Sequence, residues 1–291
     1  MEIRYGDRIE SLTRTAGAVK VQLRQGQARK FDLVIGADGI HSATRRLAFQ
    51  EGAARLHHLG HQIAVFSVPN RFGLDREEVT YVAPGRTALV YNTAGDHSAT
   101  AMFLYADPHP SRHGRATDPR PGGERSDAEQ RWTELVEVYR HDGWLVPDLL
   151  AERPAPGELF ADALCQVHAP RWSNGRVALV GDSGYAASPA SGQGTSLALV
   201  GGYVLAEELA ATPDHEAAFR RYEQRMRPFV TANQRLGPAN IGRMVLNSRG
   251  QIRATTAMLA LMGRLPGHER LARALIAPIR RAANAIALPD D

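Results

Sequence analysis

The residues best suited to chemistry fall in two short stretches, each an apolar run that ends in glycine and aspartate. The first is Asp32-Leu33-Val34-Ile35-Gly36-Ala37-Asp38-Gly39, followed by Ser42 and Arg45. The second is Val177-Ala178-Leu179-Val180-Gly181-Asp182, followed by Pro189 and by Gly192-Gln193-Gly194-Thr195. A carboxylate just past a strand accepts hydrogen bonds from ligand hydroxyls, and the planar fork of an arginine suits a phosphate. Glycines let a flat ligand approach the backbone, and a helix opening behind them turns its positive end toward it. The pattern points to a ligand that is flat, hydroxylated and phosphate-bearing.

The elements that must position these residues can be read around them. Val177–Val180 is short and bounded by glycine, which predicts a buried parallel strand with Asp182 at its carboxyl end, where open α/β sheets bind ligands. Leu197, Val200, Val204, Leu205 and Leu209 recur near helical spacing, so a helix is expected from Thr195 to Leu209 after a Ser/Gly/Pro-rich turn. Phe31–Ile35 reads as a second buried strand, and Ser42 as the cap of a short helix through Thr44, Arg45 and Arg46. Met1–Tyr5 and Ala18–Leu23 alternate like strands, with a turn at Gly26.

Gly181-Asp182 followed by Pro189 and Gly192-Gln193-Gly194, with Asp38-Gly39 far ahead of it, resembles the FAD-dependent monooxygenases of the p-hydroxybenzoate hydroxylase type. The resemblance implies that Asp182 holds the ribityl chain of FAD. It places Pro189, Gly192, Gln193 and Gly194 along the isoalloxazine ring, counts Gly181 and Thr195 among the cofactor-binding residues, and gives Asp38, Gly39 and Arg45 to FAD and nicotinamide nucleotide handling. Both acidic tips are expected to converge on one dinucleotide from opposite sides of a shared sheet. The implied reaction uses NAD(P)H and O2 to hydroxylate an aromatic or polyketide-like small molecule, with no side-chain acid or base required. The family also opens with a Gly-x-Gly-x-x-Gly turn that does not occur here, so either an upstream FAD-binding segment supplies it or the protein has lost that unit. Tyr185 stands where many members have histidine, and Gly201-Gly202 where many have Asp-Ala. The alternatives are a non-catalytic flavoprotein-derived binding domain, or a flavin oxidase, dehydrogenase or halogenase on the same fold.

Other classes fit less well. Gly181-Asp182-Ser183-Gly184 spells a serine-protease nucleophile motif, but strand-then-helix is the wrong setting for it. Cys165 is the single cysteine, so no internal disulfide forms and a reducing cytoplasm fits. No apolar run has the length of a membrane span. The net charge of +4 comes almost wholly from scattered arginines without interleaved aromatics, which argues against nucleic acid. His57, His58 and His61, and His109 with His113, have no carboxylate to complete a metal set.

The remaining chain fits a mixed α/β fold. An incomplete FAD-binding, Rossmann-like sheet carries an inserted antiparallel substrate sheet and C-terminal helices. The expected domains are 1–50 (FAD binding, first part), 51–170 (substrate sheet) and 171–291 (FAD binding, second part, with the C-terminal helices). In the middle domain, strands are expected over His61–Val68, Glu78–Val82, Thr87–Tyr91 and Ala99–Tyr105, one apolar face being available to wall a substrate cavity. A Pro/Gly/Arg-rich loop runs from about Asp107 to Asp127, and a helix from Ala128 to Tyr139. Beyond Pro213 helices are expected, broken at Pro228 and interrupted at Pro278. Leu271, Leu275, Ile276 and Ile279 form a stripe in the last helix, read as core.

Overall fold

Valines at 19 and 21 alternate with Lys20 and Gln22, and this period of two forms the middle of a small antiparallel sheet. In the computed structural model, which describes residues 2–49, 54–93, 97–109, 124–155, 157–262, 264 and 268–288, that strand is β2 (Val19–Leu23). It lies between β1 (Ile9–Arg14) and β3 (Arg29–Phe31). The strand expected at the N-terminus is corrected: residues 2–5 are exposed and unpaired in any sheet, and Ile9–Arg14 takes the place beside β2. Ile9 and Leu12 lie three apart, so no alternation marked this strand, yet both pack on Val19 and Val21.

The run Phe31–Ile35 is not one strand. Phe31 ends β3, and after Asp32-Leu33 the chain enters β4 (Val34–Gly36), which belongs to another sheet. There β4 pairs in parallel with β11 (Val177–Leu179), Val34 opposite Val177 and Gly36 opposite Leu179. A two-residue strand, β10 (Ser173–Asn174), completes the order β10-β11-β4. Both β4 and β11 lead into helices: α1 (Ala43–Ala48) after the first, α4 (Asp182–Tyr185) and α5 (Gly194–Ala210) after the second. The one-turn helix α4 occupies part of what was expected to be irregular turn.

The middle of the chain forms a five-stranded sheet ordered β6-β7-β8-β5-β9, from β5 (Arg55–Pro69), β6 (Glu78–Ala83), β7 (Arg86–Tyr91), β8 (Ser98–Ala106) and β9 (Phe160–His168). The pairs β6/β7, β7/β8 and β5/β8 are antiparallel. One face, carrying Phe66, Ala88, Val90, Ala101 and Phe103, is closed by Trp132, Leu135 and Tyr139 of α2 (Glu124–Tyr139) and by Val146 and Leu149 of α3 (Val146–Ala151). This face is therefore packed core rather than cavity wall. On the other face Val65 stands opposite Met102, and Met102 opposite Leu89. Val65 and Met102 stay half-buried while Leu89 is buried. The helix α2 begins at Glu124, before the expected Ala128; most of the Pro/Gly/Arg-rich stretch lies outside the described residues.

The helix α6 (His215–Met244) is continuous, which corrects the break expected at Pro228; both Pro228 and Pro238 lie inside it. Proline lacks an N–H and frees the carbonyl four residues earlier. For Pro238 that carbonyl is Gln234, and the Gln166 amide takes it at 2.6 Å. Beyond it, α7 (Arg249–Met262) buries no residue, and α8 (His268–Ala283) runs through Pro278. Of the stripe expected in α8, Ile276 is exposed and Ile279 partly buried; the side chains of Leu271 and Leu275 lie outside the described residues.

The chain forms two compact units. One comprises Met1–His57, Cys165–Pro238 and Ala274–Asp291; the other comprises His58–Leu164 and Ala239–Arg273. Residues 239–273, grouped by their sequence with the C-terminal helices, thus join the middle segment. Both acidic turns lie in the first unit, whose core gathers Trp172, Tyr185, Leu197, Val204, Tyr222 and Phe229.

Candidate cofactor site

Parallel pairing of β4 with β11 brings the carboxyl ends of the two strands side by side. The Val180 N–H donates to the Gly36 carbonyl at 2.9 Å, extending the ladder one residue past the paired strands. The Ser183 hydroxyl lies 2.6 Å from that same carbonyl and 2.8 Å from that of Val180. Arg45 then crosses between the turns: its Nη1 donates to the Ser183 carbonyl at 2.7 Å and its Nη2 to the Ile40 carbonyl at 2.6 Å. The two acidic turns are neighbours at the carboxyl end of this sheet, following adjacent strands, rather than on opposite sides of it as their sequence suggested.

The two aspartates differ. Asp38 is engaged within the chain, accepting from the Ser42 hydroxyl on one oxygen and from the Thr44 N–H, at 2.8 Å, on the other. Ser42 in turn accepts from the Arg45 N–H at 2.9 Å and caps α1. Burial works against the charge on Asp38, but these hydrogen bonds outweigh it and hold the carboxyl below its ordinary value. Asp182 has no hydrogen-bond donor among the described residues. Its outer surface is exposed, yet the protein packed around its base strips enough water to push its carboxyl up. Burial lowers the Arg45 guanidinium, and the charge of Asp38 opposes that shift.

Glycines give the site its surface. Gly181 turns the chain out of β11 at φ 66° and ψ −143°, and a Cβ there would stand 3.2 Å from that of Ala198 on α5. This glycine is required by the protein itself. Gly194, one helical turn before Ala198, is different: its φ is ordinary and a Cβ would meet nothing within 4 Å. Open space also faces Gly39 and Gly192. Pro189, Gly192 and Thr195 are exposed, and Gln193 is partly buried as the N-terminal cap of α5. An open row of glycine backbone, an unpaired carboxylate and the start of a 17-residue helix therefore lie together, and this set fits a flat, hydroxylated cofactor.

Three features went unread in the sequence. Ser188 and Ser191, both buried, shape the turn before Gly192; their only signal was their spacing around Pro189. Ser183 and its bond to Gly36 were invisible without the strand pairing. Tyr185 and Gly201 touch: a Cβ on Gly201 would stand 2.0 Å from the Tyr185 hydroxyl. Among the described residues no group of three or more His, Cys, Asp or Glu is placed to hold a metal ion, and His113 lies outside that description. No described helix is long and apolar enough to cross a membrane.

A family described as FAD binding domain matches residues 1–236. A protein named flavin-dependent monooxygenase, from an unknown prokaryotic organism, is 41% identical over 233 residues, which is 80% of this chain and 58% of that protein. A flavin-dependent monooxygenase from Legionella longbeachae is 36% identical over 80% of this chain and 57% of its own length. The chain thus spans less than two thirds of the curated relatives it matches. Among solved structures, tetracycline destructase Tet(55) is similar at a TM-score of 0.77 and 34% identity, covering 97% of this chain and 69% of that one. A variant of HpxO from Klebsiella pneumoniae, complexed with FAD, is similar in fold at a TM-score of 0.69 and 23% identity, covering 94% and 68%.

Proposed function

Because this chain belongs to the FAD-binding domain family of flavoprotein monooxygenases, we propose that it forms the larger part of an enzyme that hydroxylates an aromatic or polyketide-like small molecule. FAD, when bound, supplies the redox chemistry that links NAD(P)H and O2 to the substrate. The observation that carries this reading is the contrast between the two acidic turns. Asp38 and Arg45 are consumed in building the site, whereas Asp182 keeps a free carboxylate on the same unit as Gly194, a glycine that neither backbone angle nor packing requires.

The chain's own residues then take these parts. Asp182 accepts from the ribityl hydroxyls, its free lone pairs gaining the donors the protein leaves out. Pro189, Gly192, Gln193, Gly194 and Thr195 form the surface for the ring, and the start of α5 stabilises negative charge there. Gly39 offers open backbone on the nucleotide side, with Asp38 and Arg45 fixing its turn. Substrate recognition falls to the antiparallel sheet of the second unit, on the face of Val65 and Met102 that α2 leaves uncovered. Tet(55) is a tetracycline destructase and a second HpxO structure contains uric acid, so fused or planar ring systems are the substrates to try first.

Two observations support an additional FAD-binding segment completing the fold. Strand β4 is the last in its sheet, with Ile35 38% exposed, although parallel strands are ordinarily covered on all sides. Helix α5 is apolar nearly throughout, yet Leu199 is 71% exposed and Tyr203 45%. We place a strand, glycine turn and helix there, supplied upstream, and the whole in a reducing cytoplasm.

The test is reconstitution. The chain, expressed with the upstream segment encoded beside it, is purified and examined for bound flavin by visible absorbance. NAD(P)H oxidation is then followed with candidate substrates, and the product mass is measured. Flavin retention with oxygen inserted into the product is expected. A colourless protein that takes up no added FAD would sink the reading, and flavin binding without turnover would reduce it to a binding domain.

A further inference from the structure

The loop that precedes α5 contains the least comfortable backbone near the site. Ser188 sits at φ 76° and ψ 145°, a region that glycine enters freely and an L-residue enters only with strain. It is 4% exposed, and a glycine would sit there without that cost. What serine adds is its hydroxyl, which accepts from the Ala190 N–H at 3.4 Å. The Ser188 carbonyl receives the Ser191 N–H at 3.0 Å and the Ser191 hydroxyl at 2.8 Å. Ser191, 1% exposed, also accepts on its hydroxyl from the Gln193 N–H at 3.2 Å. The two side chains therefore close a ring of hydrogen bonds around Pro189, Ala190 and Gly192. Both side chains are buried and the bonds they make are to the loop's own backbone, which points to shaping the loop as their role.

We propose that Ser188 and Ser191 are positioning residues: a hydroxyl clasp that sets the backbone of Pro189–Gly194 in its cofactor-receiving shape before the cofactor arrives. The proposal rests on the flavin-site reading above and deepens it. The corner at Ser188 turns Pro189 out to the surface, and the Ser191 bond to Gln193 fixes the entry into α5, so that Gly192 and Gly194 face open space together. Rigid preorganisation of this kind acts on affinity, because a loop already ordered loses less freedom when it binds.

Two readouts separate the clasp from the reading beneath it. The first is amide hydrogen exchange over residues 189–194 of the full chain without flavin, in the unsubstituted protein and in Ser188→Gly, Ser191→Ala and Ser191→Thr. The second is the FAD dissociation constant of each by fluorescence titration, with the visible circular dichroism of the bound flavin as its signature. Ser188→Gly relieves strain while deleting a hydroxyl, so its melting temperature is expected to stay level or rise. Its loop amides should exchange faster, and its FAD affinity should fall about tenfold, the size of one lost ordering contribution. Ser191→Ala should show the same faster exchange and weaker FAD binding, though without relief of strain, and Ser191→Thr, which keeps a hydroxyl, should recover most of the affinity. Faster exchange with unchanged FAD affinity and dichroism overturns the positioning role, as does unchanged exchange in both hydroxyl deletions. If the unsubstituted protein, with its upstream segment, binds no FAD, the flavin-site reading itself is overturned and the clasp's purpose goes with it.

Discussion

Arg45 Nη1 donates to the carbonyl of Ser183 across 138 positions of sequence, at 2.7 Å. This bond joins the helix after β4 to the turn after β11, and with the Nη2 bond to Ile40 it employs the guanidinium as a bracket between two backbone segments. The planar fork of this arginine suited a phosphate; its geometry makes it a structural clamp as well. Arg45→Ala is expected to lower unfolding stability by about 1–3 kcal/mol, since two carbonyls lose charged donors. Arg45→Lys should recover less than half of that loss, because one ammonium cannot reproduce a planar two-pronged contact. Urea denaturation of the three proteins checks this, and an alanine variant as stable as the parent would refute the clamp.

The two aspartates should respond in opposite directions. Asp38→Ala removes the acceptor for Ser42 and Thr44 and is expected to destabilise by about 1–2 kcal/mol at neutral pH. The Asp38 carboxyl is held below its ordinary value of 3.8, so its stabilising effect is present above that value and is lost as pH falls through the lower, folded one. Asp182 is raised above 3.8, so its charge opposes folding as pH rises through the folded value, and the effect vanishes in acid. Asp182→Asn should therefore melt no lower than the parent at pH 7 while losing FAD affinity. Melting curves from pH 3 to 8, paired with flavin titration, decide the matter: equal destabilisation by both substitutions would remove the distinction on which the cofactor assignment rests.

Gly194 offers the sharpest separation of fold from function. Neither backbone angle nor packing explains a glycine at the first position of α5, and a Cβ there meets nothing. Gly194→Ala is expected to leave stability unchanged or raise it by up to about 1 kcal/mol, as alanine favours helix. A methyl group on the open row should nonetheless weaken FAD binding several-fold. Gly181→Ala is the control: its positive φ and the 3.2 Å approach to Ala198 predict a loss of stability before any ligand is added. Wild-type affinity in Gly194→Ala would place the ring elsewhere.

What could be read in advance divides along physical lines. Both glycine–aspartate turns, the cap at Ser42 and the helix behind Gly194 were legible, because turn chemistry and helical period are local. The split of Phe31–Ile35 between two sheets was not, since nothing in an apolar run says which partner each residue pairs with. The continuity of α6 through Pro228 and Pro238 was equally hidden: at Pro238 it depends on Gln166, far away in sequence, accepting the role of donor to Gln234. Arg45 shows the same limit: its type fitted a ligand, but its bond to the Ser183 carbonyl comes from 138 positions away. The bonds of Asp38 to Ser42 and Thr44 are local by contrast.

Tyr185 and Gly201, two departures from the family pattern, illustrate the same dependence and provide a last test. The Tyr222 hydroxyl lies 3.1 Å from the Leu179 carbonyl and 2.8 Å from the Tyr185 hydroxyl, so Tyr185 donates to Tyr222 and Tyr222 to the end of β11. That relay is buried in the core of the same unit, with the Trp172 ring tilted by 43° against the Tyr185 ring at a centroid distance of 4.4 Å. It exists only because Gly201 has no side chain: an added Cβ would overlap the Tyr185 oxygen at 2.0 Å but would sit 3.2 Å from its ring carbon. Gly201→Ala is thus expected to destabilise by about 1–3 kcal/mol through overpacking, and Tyr185→Phe by about 1 kcal/mol through the lost bond. Together they should cost less than their sum, with a favourable coupling of about 0.5–3 kcal/mol, since phenylalanine vacates the space the new methyl needs. A double-mutant cycle by chemical denaturation measures that coupling. Strict additivity would mean that the two departures are unrelated, and that Gly201 serves something other than the tyrosine it faces.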